Sequence, residues 1–128
     1  MATKTLNIIE SAYRATLEEQ DDTIVWISSA LRGASAEVDV LLEGSAVNYA
    51  VRGQDATGLA LGTWQQSQPP RLDHDIKNLM DKGAAVFFVA DDAAERGIER
   101  TDMVDGVQPI ARRDMAQLFS GYGRIWRW

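Results

Sequence analysis

The chain of 128 residues alternates short apolar segments with longer segments in which apolar residues recur at helical spacing. Short segments rich in Val, Ile, Leu and Phe are typical of buried strands. The third such segment reads AAVFFVA, which is typical of a strand buried on both faces, and Pro109 places the fourth at a sheet edge or a strand end. Five strands are therefore predicted, at residues 5–9, 37–42, 84–90, 107–110 and 124–128.

Helices are predicted between these strands. The first begins at a capping box, because Thr16 at the N-cap and Glu19 three residues later can each satisfy an unpaired backbone N–H. It runs to Arg32, and Gly33 ends it. One face of this helix carries Gln20, Ile24, Ile27 and Leu31. Further helices are predicted at residues 46–52, from a cap at Asp73 to Lys82, from Asp92 onward, and at 112–120.

Strands that alternate with helices imply crossover connections, and therefore a mainly parallel sheet with helices on both faces. The sequence thus predicts an α/β fold with a five-stranded, mainly parallel sheet. Residues 1–128 are expected to form a single domain, because no linker is long enough to divide them. The long irregular segment 58–71 is typical of a lid, a binding loop or an oligomer contact, and Trp64 within it favours a contact.

The net charge of −6 is concentrated in the first half, where residues 1–64 carry 9 acidic and 4 basic side chains. An acidic surface repels phosphate backbones, so nucleic acid is not expected as a partner. Four arginines near the C-terminus could instead attract a small anion or an acidic protein surface. They are Arg112, Arg113, Arg124 and Arg127.

The chain has no cysteine, which excludes disulfides, thiolate metal sites, cysteine nucleophiles and persulfide carriers. No apolar run is long enough to cross a bilayer, and the first residues lack the apolar core of a signal peptide. We therefore expect a soluble cytoplasmic protein without a membrane partner. The GxGxxG, P-loop and HExxH motifs are all missing from the sequence, so no cofactor and no metal are predicted.

Ligands of open parallel α/β sheets bind beyond the carboxyl ends of the strands. Polar residues that follow the first three strands are therefore the candidate pocket. They are Glu10, Tyr13, Asn48, Arg52, Gln54 and Asp91. For the group from Asn48 to Gln54, internal hydrogen bonds or a subunit interface are the alternatives.

Three acidic or titratable features have a structural interpretation that we favour over a catalytic one. Asp91 and Asp92 could be a general acid–base pair, but Asp92 and Glu95 have the spacing of a capping box. The acidic run 17–22 could bind a cation, although acids are common in the first turns of a helix. His74 is the only histidine and is expected at the surface.

The ordered motifs SAY, AEVDVLLEGSAV, AAERGI and ARRDMAQLFSGYGRIWRW resemble the DsrE/DsrF-like family of small sulfur-relay proteins, which includes the Tus proteins of tRNA thiolation. The resemblance spans nearly the whole chain. It implies a three-layer α/β/α domain that assembles as a dimer, trimer or hexamer. It also implies that several members carry a persulfide on a cysteine just after the third strand, where this chain has Val, Ala, Asp and Asp at positions 89–92.

The missing cysteine means that this chain cannot carry sulfur in the family's way. The resemblance therefore implies a non-catalytic DsrE-like protein, either a homo-oligomer or a partner subunit of a sulfur-handling complex. A small-molecule-binding protein or an enzyme with its pocket at the strand ends is the alternative. A third possibility is an interaction module that uses the Trp64 loop and the C-terminal RIWRW segment.

Overall fold

A computed structural model describes residues 3–12, 22–54, 58–67, 69 and 71–128. Its strands are β1 Thr5–Ile9, β2 Val38–Leu42, β3 Ala60–Leu61, β4 Trp64–Gln65, β5 Val86–Val89, β6 Gln108–Ile110 and β7 Arg124–Arg127. Its α-helices are α1 Thr23–Gly33, α2 Leu72–Asp81, α3 Ala90–Glu95 and α4 Met115–Phe119. Shorter 3-10 helices span Gly44–Ala50, Arg100–Asp102 and Arg112–Asp114.

Five strands form one sheet in the order β6-β5-β2-β1-β7, and every neighbouring pair is parallel. The predicted α/β class and the five predicted strands are therefore confirmed. The carboxyl ends of β1, β2 and β5 lie side by side at one edge of the sheet, because these strands are central and parallel. Side chains that follow these strands therefore emerge along the same edge of the sheet.

The core is divided by the sheet into two unequal layers. One layer packs beneath α1, α2 and the 3-10 helix Gly44–Ala50, and it contains most of the buried apolar residues. The other is smaller and is covered by half-buried side chains of α4 and the segment after it. Alternate strand residues supply the two layers, as Ile8 and Ile9 of β1 illustrate.

Helix α1 begins later than the sequence predicts. Asp22 has an extended backbone and is its N-cap, since its Oδ1 accepts hydrogen bonds from the N–H groups of Ile24 (2.9 Å) and Val25 (3.2 Å). The predicted helix through residue 22 is therefore wrong at Asp22, and the predicted capping box of Thr16 and Glu19 lies outside the described residues. The helix ends at Gly33, one residue after the predicted Arg32, and Ala34 is its C-cap.

The predicted cap of the second long helix is also wrong. Helix α2 has Arg71 at its N-cap position, and Asp73 lies inside the first turn. The Asp73 carboxylate accepts a hydrogen bond from the Gly53 N–H at 3.0 Å instead. This bond ties α2 to the turn that follows the 3-10 helix Gly44–Ala50.

The segment predicted as one long irregular loop contains a small hairpin. Strands β3 and β4 pair in antiparallel fashion, with Leu61 opposite Trp64. Both side chains are exposed, as is Leu59 just before the hairpin. Among the described residues, no helix combines the length and apolar character needed to cross a bilayer.

Candidate functional site

An arginine and two glutamates form an ion-pair cluster at the carboxyl ends of β1, β2 and β7. Glu10 follows β1, Glu43 follows β2, and Arg127 is the last residue of β7. The guanidinium of Arg127 lies 2.5 Å from the Glu43 carboxylate and 3.3 Å from that of Glu10. One cation therefore serves two carboxylates, and it anchors the last strand to the strand ends.

Glu43 is the most deeply placed member of this cluster, with 8% of its surface exposed. Burial raises its pKa above the ordinary value, because the charged carboxylate loses hydration. The nearby Arg127 acts in the opposite direction, whereas the negative charges of Glu10 and Asp92 raise the pKa further. The ion pair with Arg127 therefore lowers the pKa of Glu43 by less than burial and the neighbouring carboxylates raise it.

Asp92 forms a second polar cluster beside the first. Its Oδ2 accepts a hydrogen bond from the Gly44 N–H at 2.7 Å, and its Oδ1 pairs with the guanidinium of Arg112. The side chain is almost fully buried, while about half of the Arg112 side chain is exposed. These contacts join three chain segments that follow β2, β5 and β6.

Asp92 is not the helix cap that the sequence predicts. Helix α3 begins at Ala90, so Val89 occupies the N-cap position and Asp92 lies within the first turn. The strand ends earlier than predicted, and this shifts Asp92 from the cap into the helix. Its carboxylate then points towards Gly44 and Arg112 rather than towards the backbone of α3.

Asp91 is exposed and bonded to the same arginine. Its Oδ1 accepts a hydrogen bond from the Arg112 backbone N–H at 2.8 Å. This bond lowers the pKa of Asp91, with smaller contributions from the charges of Arg112 and Arg113. Asp91 and Asp92 therefore both bind Arg112 and connect the segment after β6 to the start of α3. The lowered pKa favours the charged form of Asp91.

An open cleft of about 530 Å³ lies next to these clusters. It is lined by Glu10, Ser11, Ala12, Gly44, Ser45, Asn48 and Arg96. Two of the candidate residues, Glu10 and Asn48, thus come together in one cavity. The amide of Asn48 also donates a hydrogen bond to the Ser45 carbonyl at 2.9 Å, and Arg96 donates to the Asp92 carbonyl at 3.1 Å.

The remaining candidates do not line this cleft. The guanidinium of Arg52 donates to the Thr101 carbonyl, and the Gln54 amide donates to the carbonyls of Asn48 (2.5 Å) and Val51 (3.1 Å). Internal hydrogen bonds of this kind were one of the two alternatives to a binding site for the group from Asn48 to Gln54. Asp91 lies outside the cleft lining, and Tyr13 lies outside the described residues.

The sequence analysis did not select Glu43, and it selected Arg112 and Arg127 only as part of a basic group that could attract an anion, whereas the structure pairs them with Asp92 and Glu43 of this chain. Glu43 is an acid directly after an apolar strand, and Arg127 alternates with tryptophans in RIWRW. Their pairing depends on β7 lying next to β1, which residue spacing does not reveal. Within the described ranges, no three His, Asp or Glu side chains come close enough together to hold a metal ion.

Solved structures show the same fold over nearly the whole chain. The ychN protein from E. coli has a TM-score of 0.73 at 17% identity, covering 98% of this chain and 99% of its own. MTH1491 from Methanobacterium thermoautotrophicum, a protein of unknown function, has a TM-score of 0.62 at 15% identity, with 98% of both chains covered. BT1422 from Bacteroides thetaiotaomicron, a conserved protein of unknown function, has a TM-score of 0.66 at 10% identity, with 98% and 95% covered.

No protein-family model matches the sequence, and no curated protein matches it either. The likeness to solved structures is therefore a likeness of fold. Together with the sheet order and the helices on both faces, it shows an α/β fold that is shared with these structures over nearly the whole chain.

Proposed function

We propose that this chain is a non-catalytic DsrE-like protein, which acts as a homo-oligomer or as a partner subunit in cytoplasmic sulfur-handling metabolism and does not itself carry persulfide. The observation that carries the proposal is the identity of the residues at Val89–Asp92. Family members with a relay cysteine hold a thiol within this stretch, whereas this chain has none there, and its one buried carboxylate in the stretch, Asp92, is already bonded to Gly44 and Arg112.

Sulfur relay requires a thiolate that attacks a sulfur donor and then carries the sulfur atom. A carboxylate cannot form a persulfide. Moreover, the Gly44 N–H and the Arg112 guanidinium are the groups that would stabilise an anion at this position, and both are bonded to Asp92. The proposal therefore assigns this position a structural role.

Exposed apolar side chains support an assembly. Leu61 and Trp64 project from the β3–β4 hairpin, and every residue of the edge strand β7 is exposed, with Ile125 and Trp126 among them. The opposite edge strand, β6, contains Pro109, which cannot donate a hydrogen bond to an added strand. Apolar groups left exposed in this way mark interaction surfaces.

Light scattering on the purified protein tests the assembly, and we expect a mass that is a multiple of the monomer mass at micromolar concentration. Replacing Leu61 and Trp64 together with aspartate should lower that mass, whereas the control Trp26→Ser, on α1, should not. A monomeric wild-type protein, together with no stable complex with sulfur-relay proteins, would refute the proposal. Incorporation of labelled sulfur from a cysteine desulfurase would refute its non-catalytic part.

A second candidate function is the binding of a small molecule in the cleft at the strand ends. The observation that favours it is the convergence of Glu10, Asn48 and Arg96 on one cavity of about 530 Å³, a size typical of ligand sites. Native mass spectrometry after gentle purification would reveal a retained ligand. The variant Asn48→Leu should lose that ligand, whereas Gln54→Leu, outside the cleft lining, should retain it.

A further inference from the structure

A second cavity lies on the outer surface of the helical layer, away from the strand ends. It is a groove of about 330 Å³ between α1 and α2. Its lining comprises Val25, Trp26, Ser29, Asp75, Asn78, Asp81 and Lys82. Neither the sheet edge nor the hairpin contributes to it, so its properties are independent of the function proposed above.

Trp26 forms one wall of the groove and exposes 55% of its surface. Its neighbour Val25 faces the core and is buried, so the orientation of α1 turns the indole outward. No ring contact or side-chain hydrogen bond of Trp26 occurs within the described part of the chain. A large aromatic surface left open beside a cavity is suited to receive a planar or cationic group.

Two acidic residues of α2 belong to the lining of the groove. Asp75 and Asp81 line the groove together with Asn78, since positions three and six apart lie along one side of a helix. Asp81 takes part in no ion pair among the described residues. The groove therefore has an open π face and the carboxylate of Asp81 in one lining.

Lys82 is the one basic residue of the lining, and it is engaged with α1. Its ammonium group donates to the Ser29 hydroxyl at 2.8 Å and to the Ser29 carbonyl at 3.3 Å. The ammonium group of Lys82 is therefore held by α1. The bond from Lys82 to Ser29 also holds the two helices apart at a fixed spacing, which pre-forms the groove.

The position of Asp81 argues against a purely structural role. It is the last residue of α2, where the helix dipole presents partial negative charge and disfavours an acid. The last turn of α2 contains no basic residue. Lys82 follows at the C-cap but is bonded to Ser29, so a cation bound in the groove would offset the unfavourable position of the Asp81 carboxylate.

From these observations we infer that the groove between α1 and α2 binds a guanidinium group. A guanidinium is planar, so it can stack on the Trp26 ring while its N–H groups reach the Asp81 carboxylate and the Asn78 amide oxygen. An ammonium ion cannot stack in this way and is more strongly hydrated. The volume of the groove suits a ligand of the size of an arginine side chain.

The test is a titration of the native protein with N-acetyl-arginine-amide, followed by the NMR signal of the Trp26 indole N–H. We expect a saturating shift of this signal, with the N–H signals of the other three tryptophans unchanged. The lysine analogue should bind several-fold more weakly, and the neutral citrulline analogue more weakly still. An unchanged Trp26 signal, or equal binding of arginine and citrulline analogues, would overturn the inference.

The matched variants are Asp81→Asn and Asp114→Asn. Asp114 is exposed and belongs to the helical layer on the other face of the sheet, so its replacement should leave binding unchanged. Asp81→Asn should weaken binding about fivefold without loss of stability, because it removes a charge that the helix dipole disfavours. Equal binding by both variants would contradict the site, and agmatine compared with an arginine-containing pentapeptide would show whether a free metabolite or a protein side chain binds better.

Discussion

The contact between Asp92 and Gly44 yields the sharpest prediction about stability. Replacing Asp92 with alanine removes the acceptor of the Gly44 N–H and the partner of the Arg112 guanidinium. It also removes a carboxylate that is almost fully buried, whose burial is itself unfavourable. The net effect depends on which of these contributions is larger.

Loss of the hydrogen bond from the Gly44 N–H is the larger contribution to the free energy of unfolding. A partly buried N–H left without an acceptor costs roughly 1–3 kcal/mol, and the Gly44 N–H has no other acceptor recorded in the described part of the chain. The Arg112 guanidinium is half-exposed and regains water when its partner is lost, so its contribution is smaller. We therefore expect Asp92→Ala to lower the free energy of unfolding by about 2 kcal/mol.

The assay is urea unfolding followed by far-ultraviolet circular dichroism, with Asp92→Asn and Asp91→Ala measured alongside. Asp92→Asn retains an oxygen acceptor for the Gly44 N–H and should lose less than Asp92→Ala. Asp91→Ala should lose the least, because Asp91 is exposed and water can replace it at the Arg112 N–H. The reasoning is refuted if Asp91→Ala is the most damaging of the three, or if Asp92→Ala unfolds like the wild-type protein.

Three further predictions concern buried polar groups. The pKa of Glu43 is raised in the folded protein, so the stability that its protonated form provides is present below the pKa of the unfolded chain and is lost as pH rises through the folded pKa. Glu43→Gln cannot titrate and should not show this loss. The unfolding free energy of the variant minus that of wild type should therefore increase from pH 4 to pH 7, and a decrease would contradict the reasoning. Tyr49→Phe should cost about 1–2 kcal/mol in urea unfolding, since the Tyr49 hydroxyl donates to the buried Asp22 carboxylate at 2.6 Å; an unchanged midpoint would contradict this. Ser28→Ala should cost about 1–3 kcal/mol by leaving the Asn7 amide without its acceptor at 2.9 Å, and the added change Asn7→Val should recover most of that loss in the same assay.

The strands were predictable because their signal is local. Each has a short run of apolar residues, and the two central strands β1 and β2 are buried along their whole length. Predicted strands therefore agree with the observed ones to within a few residues. The order of the strands is not local, and it is this order that brings Arg127 next to Glu43.

The caps were less predictable, for a physical reason. A capping box is recognised from the spacing of two residues, but its use depends on where the preceding strand or loop ends. Strand β5 ends at Val89, three residues before Asp92, and α3 begins at Ala90. Asp92 therefore lies inside the helix and its carboxylate binds a different partner. At the first helix, Asp22 takes the role of cap because Tyr49 and the backbone of α1 both bind its carboxylate.

The candidate pocket stays a prediction, and the structure brings only some of its residues together. The rule that ligands bind at carboxyl ends of parallel strands needs only the strand pattern, and two of the residues that it selected, Glu10 and Asn48, line one cleft. It cannot tell whether a polar side chain faces the cleft or the backbone. Arg52 and Gln54 bind carbonyl groups of neighbouring turns, which short-range spacing permits equally well.

Charges at the strand ends are used mainly to join chain segments. Arg112 attaches the segment after β6 to α3, and Arg127 attaches β7 to the residues that follow β1 and β2. The last two strands of the sheet are thus each held by an arginine that pairs with an acid at the position where ligands of this fold class bind. These ion pairs give the acids at the strand ends a structural role, which is the role that the proposed function assigns to Asp92.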